Sequence, residues 1–140
     1  MSSALITDAK VTEDVATALQ LWLEHVPKYA TDISGSISEL FGISSALRAL
    51  DNALDPKNHG NAFARIQKQL PLVRDTLRLT LYTIRRMYST LAAVNEPNPK
   101  IYKSLWEDVC AQFKVEGPSL CTRLEWFRVY VNGLFDVLRG

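Results

Sequence analysis

Apolar positions recur along this chain at steps of three and four residues, the spacing of one face of a helix. Val15, Leu19, Trp22, Leu23 and Val26 make the first such run. Thr12-Glu13-Asp14 stands ahead of it, a capping hydroxyl followed by two acids where the helix dipole favours them. That predicts a helix start at Thr12 and a flexible tail over residues 1–11. Pro27 removes a backbone donor, so a kink or restart is expected there. Tyr29, Ile33, Ile37, Leu40, Phe41, Ser44, Leu47, Leu50 and Leu54 then continue the spacing. Gly35 and Gly42 weaken this run locally, by about 1 kcal/mol each relative to Ala. Small residues crowd "DISGSISELFGISSAL". Close helix–helix packing explains them better than a phosphate-binding loop, which needs a strand ahead of its glycines.

The stretch "LDPKNHGN", Leu54–Asn61, reads as a loop. Helical spacing resumes from about Ala62 to Val94, with a kink or break expected near Leu70 because of Pro71. Val73, Leu77, Ile84, Met87, Tyr88 and Leu91 share one face of it. "NEPNPK", Asn95–Lys100, is a second loop, with Pro97 and Pro99 as stops. Ile101, Tyr102, Leu105, Trp106, Val109, Cys110 and Phe113 form a shorter amphipathic helix. In "VEGPS" Gly117 suits a helix end, Pro118 a fresh start and Ser119 a cap. The expectation is an all-α chain: a single-domain, up-and-down bundle over residues 1–140. It has four long helices, or five to six helical pieces with kinks near Pro27 and Pro71. Leu47, Leu77, Ile84, Leu105, Phe127 and Leu134 are expected to be buried together.

The last helix is wider in its apolar arc than a surface helix requires. Leu120, Leu124, Phe127, Val131, Leu134, Phe135 and Leu138 form one stripe, and Trp126, Tyr130 and Val137 extend it sideways. At about 100° per residue the arc covers roughly 180°, against about 100° for an ordinary amphipathic helix. Either this helix touches two neighbours inside the bundle, or one flank is left for a partner.

Composition narrows the class. A chain of 140 residues that is 47% hydrophobic and 22% charged is globular and long enough for one real core. A net charge of +1 predicts no nucleic-acid partner. Cys110 and Cys121 form neither a CxxC pair nor a disulfide framework, so two reduced, buried thiols in a cytoplasmic protein are expected. The opening "MSSALITDAK" lacks the pattern of a signal peptide.

The candidate chemistry is sparse. His25 and His59 have no metal-ligand spacing around them, and no metal or cofactor is expected. No serine sits in a nucleophile elbow. Glu39, Glu107 and Glu125 lie on separate segments, so no acid–base pair can be argued and no enzyme is expected. Arg74, Arg78 and Arg85 fall close together around one helix. They read as a solvated edge with stems over the core, or as a basic stripe for anionic lipid or an acidic partner.

Three stretches resemble a known family. "ISELFGISSALRALDNAL", "LPLVRDTLRLTLYTIRRMYSTL" and the tail "YKSLWEDV…SLCTRLEWFRVYVNGLFDVLRG" look like the HeLo-like N-terminal helical domains of fungal STAND and ankyrin-type signalling proteins. The resemblance covers about Val15 to Leu138 and implies an all-helical signalling or adaptor module. Some relatives oligomerise and perturb membranes, using an apolar, glycine-containing N-terminal segment that the polar "MSSALITDAKVTEDV" does not match. The expected function is therefore a non-enzymatic module binding another helical protein or itself. Peripheral binding to an anionic membrane surface is the alternative. The expected interaction residues are Arg74, Arg78, Arg85, Trp126, Tyr130 and Val137.

Overall fold

The computed structural model describes residues 3–54 and 56–139, without the side chains of 56–59. The elements are α1 (Ala4–His25), a 3-10 turn (Pro27–Tyr29), α2 (Ala30–Ala53), α3 (Pro56–Ala92), α4 (Pro99–Glu116) and α5 (Leu120–Arg139). The described residues are helical with no strand.

α1 begins eight residues before the expected start. Ser3 is its cap, its Oγ accepting from the Ile6 amide at 3.1 Å. Leu5 and Ala9 are buried, so the segment expected as a tail packs from Ala4 onward. Thr12 is not a cap. It is a buried mid-helix residue whose hydroxyl donates to the Asp8 carbonyl at 2.7 Å. The sequence signal misled because a Thr ahead of two acids fits a first turn and an interior turn equally.

Pro27 acts as expected. Val26 leaves the helix at φ −129° and ψ 69°, outside the α region that the following proline disfavours, and the chain restarts through the 3-10 turn. Pro71 does not break α3, whose one non-helical residue among those described is Gly60 (φ 50°, ψ −117°). Pro71 and Gln67 are both exposed, so water can take the carbonyl that the missing amide frees. The loop expected over Leu54–Asn61 is smaller than anticipated: the backbone is helical at 56–59 and turns at Gly60. Asp55 and the side chain of His59 lie outside the described residues. Pro99 is the first residue of α4 rather than a stop, capped by Asn98, whose Oδ1 accepts from the Ile101 amide.

Helix contacts are most extensive between α1 and α2 and between α2 and α5, with α3 touching α1, α4 and α5. Glu13 meets Ser44 and Arg48, while the start of α2 follows the end of α1, so these two helices run in opposite directions. Tyr29 of the 3-10 turn and Asp32 at the start of α2 meet Glu107 and Cys110 of α4, then Gly35 and Glu39 of α2 meet Cys121 and Arg128 of α5. α5 thus lies along α2, whereas α4, joined to α5 at Gly117 (φ 140°), packs on α3 and α1 and meets α2 only at its start. Arg123 closes this joint, donating to the Pro118 and Phe113 carbonyls at 2.8 and 3.0 Å and lying over the Phe113 ring.

One hydrophobic cluster draws on all five α-helices. Leu47, Leu77, Ile84 and Leu134 are buried in it, and Leu105 and Phe127 pack against it partly exposed. Trp22 anchors one end, donating from Nε1 to the Tyr102 carbonyl at 3.0 Å and meeting the Tyr102 ring edge-on. Burying a side chain of that size stabilises the fold by about 3 kcal/mol.

Candidate functional site

An apolar groove of about 540 Å³ lies between α3 and α5. Leu72, Thr76 and Thr80 line it from α3, and Trp126, Phe127 and Tyr130 from α5, with Arg123 at one end. Leu72 is 70% exposed and Trp126 60% exposed, unusual for residues of their size. The Tyr130 hydroxyl donates to Gln69 across the groove. Thr76 and Thr80 donate their hydroxyls back to the Leu72 and Thr76 carbonyls, at 2.9 and 3.1 Å. Their polar atoms are thereby satisfied, and what remains for a partner is largely methyl and ring surface.

The width of the α5 arc now has its account. α5 packs on both α2 and α3, and still leaves Trp126, Val129, Tyr130 and Val137 exposed. Trp126 and Tyr130 sit at the groove, whereas Val137 lies beyond its lining.

The arginines lie on the other side of α3. Arg74, Arg78 and Arg85 line a second groove, of about 490 Å³, together with Asp8, Leu79 and Tyr82. They are brought together but are not equivalent. Arg74 Nε donates to Asp8 Oδ2 at 2.7 Å, so its charge is balanced inside the fold. Arg78 is exposed and lies 3.8 Å from Asp75, a spacing worth little at a surface. Arg85 is exposed and makes no ion pair among the described residues.

A third opening, beside α4, holds Tyr29, Asp32, Trp106, Glu107, Cys110 and Lys114. Cys110 Sγ stands 3.9 Å from Asp32 Oδ2. Burial, with the Asp32 carboxylate adding to it, pushes this thiol up to about 12, the opposite of an activated nucleophile. Burial foremost also raises the Cys121 thiol. Both cysteines are free and half-buried, where buried thiols were expected. Trp106 Nε1 is buried without a hydrogen-bond partner among the described residues. No group of three or more His, Cys, Asp or Glu among those residues could hold a metal ion. None of their helices is long and apolar enough to cross a membrane.

Sequence reasoning missed Leu72, Leu79 and Tyr82, three large side chains of α3 that face outward. It also missed a charge asymmetry that was available in the sequence. Residues 56–92 hold seven Lys and Arg against Asp75 alone, a net +6, and the rest of the chain holds −5. The overall +1 hides this because the acids lie elsewhere, with α1 alone at −3.

No family model, curated protein or solved structure matches this chain.

Proposed function

We propose that this chain is a non-enzymatic helical interaction module, an adaptor that docks another helical protein on the face formed by α3 and α5. The observation that carries the reading is the convergence of Leu72, Trp126 and Tyr130 on one apolar groove while each remains exposed. Aromatic side chains at a recessed, apolar surface are the usual anchors of protein–protein contacts. The self-satisfied threonines support it further, since they lower the cost of drying the surface.

In this reading the helices form an up-and-down bundle, with α4 and α5 as two halves of its last member. The protein works in the cytoplasm, and the HeLo-like resemblance to fungal signalling domains accounts for an adaptor role. A second reading, peripheral binding to an anionic membrane, draws on the +6 of residues 56–92.

The test is affinity capture with the wild type and with a Leu72→Asp/Trp126→Asp double variant that keeps its helical circular dichroism. Partners identified by mass spectrometry are then purified and re-bound. Retention by the wild type and loss by the double variant is the expected result. Equal retention by both would sink the reading.

A further inference from the structure

The same groove has two unlike rims, and that difference specifies what it can hold. The inference rests on the docking face described above. On the α5 side the rim is aromatic, Trp126 and Tyr130. On the α3 side Leu72 lines the groove, and helical steps of three, four and seven residues from it return to the same edge. Lys68 and Arg65 precede Leu72 along this outer side of α3, and Arg86 follows it. Arg65, Lys68 and Arg86 are exposed and make no ion pair among the described residues. Arg123 adds a further guanidinium at the groove's end, held by carbonyls rather than by an acid. No acid is among the described residues that line the groove. The nearest candidates in sequence, Asp75 and Glu125, lie beside the lining, Asp75 facing Arg78 at 3.8 Å.

We propose that the groove holds an acidic amphipathic helix of a different protein. Its apolar stripe would lie on Leu72, Trp126 and Phe127, and its carboxylates would face Arg65, Lys68 and Arg86. The cationic edge from Arg65 to Arg86 is about 30 Å long, the length of about twenty helical residues. A second copy of this chain is poorly suited as the occupant. Its most acidic helix, α1, already buries its apolar face on Leu5, Ala9, Val15 and Leu19. A bilayer is poorly suited as well, because part of the apolar surface is recessed between two helices, where a flat surface does not reach.

The experiment uses the whole protein and a synthetic helix of about twenty residues with Leu at heptad a and d positions and Glu elsewhere. A counterpart carries Lys in place of Glu. Trp126 is the reporter, since Trp22 and Trp106 are each 1% exposed and Trp126 is 60% exposed. Expected are a blue shift of Trp126, its protection from acrylamide, and affinity for the Glu helix at least about tenfold above the Lys helix at low salt. Added salt and an Arg65→Glu/Lys68→Glu/Arg86→Glu variant with unchanged helicity should abolish the preference. Arg78→Glu, on the far side of α3, should not. Equal binding of the Lys helix would keep the docking face and overturn the acidic partner. Protection of Trp126 by neither peptide would overturn both. Protection by anionic vesicles or by self-association, with no response to the Glu helix, would overturn the proposed occupant.

Discussion

α2 and α3 are the most instructive pair in the molecule. α2 carries Gly35, Gly42 and several serines, and reads as the weaker helix. Yet it lies between α1 and α5, with nine residues buried, Ser36 and Ser44 among them. A Cβ on Gly42 would stand 2.6 Å from Arg128 Cδ, and one on Gly35 3.3 Å from Cys121 Sγ. The small residues admit neighbours, as the sequence suggested. The buried hydroxyls are answered, Ser36 by the Asp32 carbonyl at 3.0 Å and Ser44 by the Glu13 carboxylate. α3 is the reverse. Its leucines are plentiful, but Ile66, Val73, Leu77, Leu81, Ile84 and Met87 form one narrow buried line while Leu72 and Leu79 face out. Burial in this fold follows how closely a neighbour can approach, not how apolar a helix is.

The largest effect that would sharpen this contrast is on stability. Leu40→Ala on α2 should cost about 2–5 kcal/mol by denaturant unfolding, as for a fully enclosed leucine. Leu79→Ala on α3 should stay within about 0.5 kcal/mol. Similar costs for the two would break the comparison, because Leu79 would then be covered. Next comes the tie between α1 and α3. Arg74→Ala leaves Asp8, whose side chain is 9% exposed, without its partner, and should cost about 1–3 kcal/mol. Arg78→Ala should cost almost nothing in the same assay.

The glycines offer a test by sign. A Cβ added at Gly133 would meet nothing within 4 Å, so Gly133→Ala should stabilise the helix by about 0.5–1 kcal/mol. Gly42→Ala should destabilise by about 1 kcal/mol, since Arg128, whose Cδ would stand against the new methyl and whose Nε donates to Glu39, must shift. If both stabilise, the α2–α5 approach is looser than the structure has it.

The smallest effect is on pH dependence. Hydrogen bonds from Arg48, then from Ser44, hold the Glu13 carboxyl below its ordinary value of 4.5. A depressed folded pKa means that the contribution is complete above the ordinary carboxylate range and is lost as pH falls through the folded value. Glu13→Gln should therefore be less stable than the wild type at neutral pH, and the gap should shrink in acid. A gap independent of pH would show that the α1–α2 ion pair contributes nothing through titration.

The helices themselves were legible because three- and four-residue spacing is local information. So were the restart at Pro27, the small-residue approach along α2 and the Ser119 cap, whose Oγ accepts from the Thr122 amide at 3.4 Å. The start of α1 was not. Ser3 and Thr12 both look like caps, and only the burial of Leu5 and Ala9 decides between them.

For the site, Trp126 and Tyr130 could be singled out from the arc of α5, but their position opposite Leu72 could not. Arg74, Arg78 and Arg85 were correctly grouped by helical phase, yet Arg74 belongs to Asp8, 66 residues away along the chain. The amino-acid sequence by itself determined an all-helical chain, the faces of its helices and the strongly basic character of residues 56–92. Only the tertiary structure decided which apolar residues were left uncovered and which charges were already answered. Periodicity assigns residues to a face of one helix, whereas exposure and ion pairing depend on which other helix arrives there.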